Sequence, residues 1–131
     1  IAHSRELSNT IADQVSAQLT AITPQPPYVG GYELKTVPAM TNSLGTMSFG
    51  VLAEAINGCT TRYLHDTGRR NVLVEGLNLT TFRPIQLESV VTVLLRELEM
   101  TRHDATLDVD VLSDGVQVAK AIVTCQLLER N

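Results

Sequence analysis

The chain predicts an α+β fold, an antiparallel sheet of about five strands wrapped around one central helix and preceded by an N-terminal helix. Three observations predict it. Asn42 to Tyr63, NSLGTMSFGVLAEAINGCTTRY, reads as a small-residue loop running into one apolar helix. Everything after that helix carries the period-two patterning and turn residues of strands. The last three strands are joined by short turns, so they are expected to be antiparallel neighbours. One long helix followed only by strands leaves a single rod for a sheet to cover.

The elements follow in order. Residues 4 to 22 have Ser4 as a cap, and Leu7, Ile11, Val15, Leu19 and Ile22 recur every three or four residues, the pattern of an amphipathic helix. TPQPP, Thr23 to Pro27, ends it, because proline cannot continue a helix. This front piece, residues 1–29, is either a linker helix from an upstream domain or a segment that packs on the main domain, residues 30–131. Gly30-Gly31 opens the main domain, Tyr32 to Val37 reads as a strand, and Pro38 to Ser48 reads as a loop. From Gly50 to about Leu64 the spacing predicts the central helix, with Leu52, Ile56, Cys59 and Tyr63 on one face and Glu54, Asn57, Gly58 and Thr61 opposite.

Asp66 to Arg70 is a turn. Val72 to Phe82 is a long strand with a bend or bulge expected at Gly76. It sets Leu73, Leu77 and Leu79 against Val74, Asn78, Thr80 and Phe82, so both of its faces carry apolar residues and the outer one is expected to be covered. Arg83-Pro84 breaks the pattern. Val90 to Leu98 and Ala105 to Leu112 are strands, Ser113-Asp114-Gly115 is a hairpin turn, and Val116 to Leu127 closes the domain.

A length of 131 residues suits one domain with one core. With 44% apolar and 18% charged residues, the composition is that of a globular chain. No apolar run approaches the roughly 20 residues of a membrane span. The net charge of −4, with only Arg69-Arg70 as adjacent cations, argues against nucleic acid as a direct partner. Cys59 and Cys125 lack metal-ligand spacing and read as buried small apolar residues, which suits a reducing cytoplasm. His3, His65 and His103 show neither metal nor triad spacing and read as surface residues, so neither a metal nor a resident cofactor is expected. The first residues lack the apolar core of a signal peptide, and the missing initiator Met suggests a piece of a longer protein.

Three stretches carry a family likeness: GTMSFGVLAEAIN, VEGLNLTTFRPIQLESVVTV and ATLDVDVLSDGVQVAKAIVTCQL. From about Gly30 to Arg130 they resemble the hot-dog fold of the acyl-CoA thioesterase superfamily. The Gly-rich helix entry, the strand ending in Phe82-Arg83-Pro84 and the strand pair around Asp114-Gly115 carry the likeness. MTNSLGTMSFGVL and AKAIVTCQLLER are similar to the C-terminal hot-dog domain of bacterial proteins that also carry DRTGG and CBS domains, regarded as nucleotide- and ligand-sensing regulators. That likeness implies upstream CBS and DRTGG domains. Because hot-dog sheets pair edge to edge, it also implies a homodimer or tetramer.

The resemblance assigns roles residue by residue. In the thioesterase branch with the pattern G-x-x-H-G-G, backbone N–H groups at the helix tip polarise the thioester carbonyl. The matching positions here are Gly45, Thr46, Met47, Ser48, Phe49 and Gly50, so Ser48 replaces the His and Phe49 a Gly. Seven residues beyond Gly50, where a carboxylate is expected, stands Asn57, which is neither base nor nucleophile but can orient a water and so stays with Glu54 as a catalytic candidate. Glu54, one turn earlier, is the fallback carboxylate; its bland alternative is a solvated or interface charge. Ser48 suits a helix cap, and Phe49 is either a gate or acyl-pocket wall or a core-packing residue.

The implied ligand-binding set is Asn42, Gly45, Ser48, Phe49 and Gly50 at the helix entry. Arg83 and Arg102 join it as cations for the phosphates of coenzyme A, with Arg69-Arg70 and His103 as further candidates. The expected function is a domain that binds an acyl-CoA or related thioester, a ligand-sensing part of a larger regulator. The alternatives are an active thioesterase using Glu54 and a dimerisation module without a small ligand.

Overall fold

The computed structural model describes residues 13–42 and 44–128. The central helix, Phe49–Asp66, is embraced by a six-stranded sheet. The strands are β1 (Leu19–Ala21), β2 (Gly30–Lys35), β3 (Val72–Thr81), β4 (Val90–Met100), β5 (Asp104–Ser113) and β6 (Val116–Leu127). They lie in the order β1-β2-β4-β5-β6-β3, and every neighbouring pair is antiparallel. This is the arrangement expected from the sequence, with one strand added at the edge.

Burial explains the wrap. Ala55, Ile56, Cys59 and Leu64 are fully buried, and Val51, Leu52 and Tyr63 nearly so. They meet the inward residues of the strands, among them Val93, Leu95, Leu107, Val109 and Val123. At about 25 cal/mol per Å² of apolar surface removed from water, this one core dominates the stability of the domain. The opposite helix face, Glu54, Asn57, Gly58 and Thr61, is half-buried. Asp114 and Gly115 both have positive φ, 49° and 83°, as the predicted hairpin between β5 and β6 requires.

Two expectations are corrected. The helix predicted over residues 4 to 22 is helical only over 13–17 in the described part, and Leu19–Ala21 forms β1 on the edge of β2. Leu19 points into the core while Thr20 and Ala21 are exposed, and the strand satisfies backbone groups of β2 that a helix would leave bare. Ser4, Leu7 and Ile11 lie outside the described residues. The front segment packs on the domain: Val15 is 2% exposed, and Arg62 Nη1 donates to the Leu19 carbonyl at 3.3 Å.

The alternation predicted for β3 is also corrected. The bulge expected at Gly76 is present, since Val74 pairs with Cys125 and Gly76 already with Thr124. The extra residue shifts the period by one. Val72, Val74, Leu77 and Leu79 therefore all pack on the core, while Leu73 faces out and is 49% exposed.

The core assignment predicts that Ile56→Ala destabilises by about 2–5 kcal/mol, whereas Leu98→Ala, at a site 51% exposed, changes stability by about 0.5 kcal/mol or less. Urea denaturation of the two variants checks the contrast.

Candidate functional site at the helix tip

The entry to the central helix is built by a loop pinned to the segment after β3. The Met47 N–H donates to the Ile85 carbonyl at 2.8 Å, and the Leu87 N–H to the Gly45 carbonyl at 3.1 Å. Asn42 Oδ1 accepts from the Leu44 N–H at 2.9 Å, the Thr46 N–H at 3.3 Å and the Thr46 hydroxyl at 3.1 Å. Asn42 thus organises the loop with its side-chain oxygen. Gly45 has φ +77°, a conformation that favours glycine.

Ser48 caps the helix, as its position in the sequence suggests. It is extended at φ −71° and ψ 152°, and its Oγ accepts from the Val51 N–H at 3.2 Å. Leu52 begins the helical ladder by donating to the Ser48 carbonyl. The N–H groups of Phe49 and Gly50 precede that ladder and have no acceptor among the described residues. A Cβ at Gly50 would meet nothing within 4 Å, so the side of the helix at Gly50 is open. The partial positive charge of the helix end adds to their pull on an oxygen.

Beside them lies a cleft of about 330 Å³. Ser48, Phe49 and Leu52 line it from the helix, and Phe82, Arg83 and Ile85 line it from the segment after β3. Phe49 is 60% exposed, which excludes the core-packing reading of this residue. Ser48, Phe49 and Arg83 are thus brought together, with Gly45 and Gly50 on the same loop and helix tip.

The remaining candidates lie elsewhere. At 3.6 residues per turn, Glu54 falls on the side of the helix away from Phe49 and Leu52, Asn57 lies two turns further along the helix from Phe49, and neither lines the cleft. Arg102 sits in the turn between β4 and β5, at the far end of the sheet. At that end a second, open cleft of about 770 Å³ is bordered by His65, Arg70 and His103. The clefts are therefore at opposite ends of the helix. Leu52, Ile85 and the role of Phe82 as a wall escaped the sequence reading. Only Pro84, which marks a break after β3, hints that this segment folds back onto the loop.

The two thiols are not reactive centres. Burial pushes Cys59 up to about 12 and Cys125 up to about 11, which keeps both neutral near pH 8. Among the described residues no cluster of three or more potential ligands could hold a metal ion. Among the described residues no helix is long and apolar enough to cross a membrane.

No family model matches the chain. It is 37% identical over 100 residues to the uncharacterized protein YtoI of Bacillus subtilis (strain 168), and that match covers 76% of this chain but spans only 23% of YtoI. A hypothetical thioesterase with coenzyme A from Streptococcus pneumoniae TIGR4 superposes with a TM-score of 0.80 at 16% identity, covering 95% of this chain and 96% of that one. A thioesterase complexed with coenzyme A and Zn from Thermus thermophilus gives 0.70 at 19% identity, covering 80% and 83%. Thioesterase superfamily member2 from Mus musculus gives 0.77 at 22% identity, covering 94% and 96%.

If Ser48 acts as the cap, Ser48→Ala lowers stability by about 1 kcal/mol and Ser48→Thr largely restores it. Gly45→Ala costs a further ~1–2 kcal/mol through its backbone conformation; thermal melts of the three variants check both. A disulfide-exchange dye at pH 8 should label neither cysteine of the native protein and both in urea.

Proposed function

The chain has the hot-dog fold that its sequence resembles, and we propose that it is a domain binding an acyl-CoA or related thioester, with the thioester carbonyl at the tip of the central helix. One observation carries the proposal: the Phe49 and Gly50 amides have no acceptor among the described residues, at a helix tip that borders a ligand-sized cleft lined also by Arg83. Two solved structures of this fold are described with coenzyme A, which supports the ligand class. Such a site polarises a carbonyl without needing a nucleophile.

Binding is favoured over hydrolysis. Asn57 cannot act as a base, and Glu54 faces away from the cleft of its own subunit. The thioesterase reading survives on one observation: Glu54 sits one turn below Gly50 on the same helix face, so it could serve a site completed by a second copy.

The proposed assembly is a homodimer joined through β3. This strand is an edge of the sheet, ten residues long, and displays Leu73 outward. Antiparallel pairing of two β3 strands would set the Thr81 end of one beside the Val72 end of the other. It would thereby bring the Arg70–His103 cleft of one copy toward the helix tip of the next, where the phosphates of coenzyme A would lie. In a longer bacterial protein the domain would serve as the cytoplasmic ligand-sensing part of a regulator with CBS and DRTGG domains upstream. The greater length of YtoI supports a longer parent.

The test is a panel of acyl-CoA esters with a thiol-trapping dye. The proposal expects stabilisation without turnover, about 2.7 kcal/mol at a ligand concentration of 100 Kd. Turnover abolished by Glu54→Ala would establish the thioesterase instead, and no response to any ester would leave a dimerisation module. Light scattering should give a mass near twice 14.3 kDa; a monomer at micromolar concentration would contradict the assembly.

A further inference from the structure

We infer that Phe49 and Phe82 together set the size of the acyl group that the tip cleft accepts, so that the domain selects short acyl chains; this rests on the thioester reading and deepens it. Phe49 opens the central helix with its ring 60% exposed, and Phe82 directly follows β3 with its ring 53% exposed. Both line the same cleft, Phe49 from the helix and Phe82 from the segment after β3. Exposed phenylalanines lining one concave site form an apolar surface that a ligand completes.

The floor of the cleft is closed. Leu52 is 3% exposed and Ile85 4%, so beneath the two rings lies the packed core itself. The volume of about 330 Å³ is at the small end for ligand sites. A carbonyl held at the Phe49 amide lies within reach of the ring of that same residue. A short acyl group then fits between the rings, while a long one has to displace a ring or run out over the surface. A Cβ at Gly50 would meet nothing within 4 Å, which leaves room beside the helix tip for the carrier end of the thioester.

The test is calorimetric titration of butanoyl-, hexanoyl- and decanoyl-CoA, and of coenzyme A alone, into the wild type, Phe49→Ala and Phe49→Trp. Phe49 is exposed, so thermal midpoints close to that of the wild type confirm that both variants fold. In the wild type, affinity should fall with chain length. In Phe49→Ala, each methylene that the widened cleft admits should raise affinity about fourfold. In Phe49→Trp, discrimination against decanoyl-CoA should sharpen. Length profiles that run parallel in all three proteins overturn the inference while leaving the thioester reading intact. So does a variant that loses dimer mass in light scattering with its length profile unchanged, which would assign the rings to a subunit interface. If the wild type binds neither coenzyme A nor any ester, the thioester reading fails and the size filter falls with it.

Discussion

Everything in this domain depends on burying one helix. Ala55, Ile56, Cys59 and Leu64 have no exposed surface, and a curled antiparallel sheet is what covers them. A helix held along its length by a sheet still has two ends. At the amino end the first backbone amides have no intrahelical acceptor by construction. The fold therefore creates a polar point in an otherwise apolar assembly, and the surrounding loop decides whether that point is covered or offered to a ligand.

Here it is offered. Ser48 caps the Val51 amide but leaves those of Phe49 and Gly50 without an acceptor among the described residues. Asn42 and the bridges between Thr46 and Gln86 and between Thr41 and Met47 hold the loop back from the helix axis. The segment after β3 supplies the other wall, because the Phe82 N–H is tied to the Val118 carbonyl at 2.7 Å and cannot swing away with the edge strand. The same interactions that close the core thus also fix the cleft, which is why a stable tip and a binding-ready tip are one structural feature.

Much of this was legible in the sequence. The apolar face of the helix, the Asp114-Gly115 hairpin and the bulge at Gly76 each rest on local chemistry: a 3.6-residue period, residues that tolerate positive φ, and a glycine inside a strand. The errors arose where tertiary contacts overrode local pattern. Leu19 fits a helical period with Val15 and Ile22, yet the bare edge of β2 recruits it as a strand. Strict alternation puts Leu73 on the same face as Leu77, until the bulge moves the register. At the site, the resemblance named Ser48, Phe49 and Arg83, and the structure sets the three beside one cleft. That Glu54 and Asn57 lie off the buried face followed from the helical period, but the place of the segment after β3 beside the helix tip did not, because no spacing in the sequence fixes it.

The central claim is that a thioester carbonyl is received by the first amides of the central helix. The most direct measurement is amide proton and nitrogen chemical-shift mapping of ¹⁵N-labelled protein during titration with a non-hydrolysable short-chain acyl-CoA analogue. The account predicts that the largest downfield amide-proton shifts fall on Phe49 and Gly50, with smaller changes at Phe82 and Arg83. Shifts that leave these two amides untouched and gather instead at the far end of the helix, around Arg70 and His103, would contradict it.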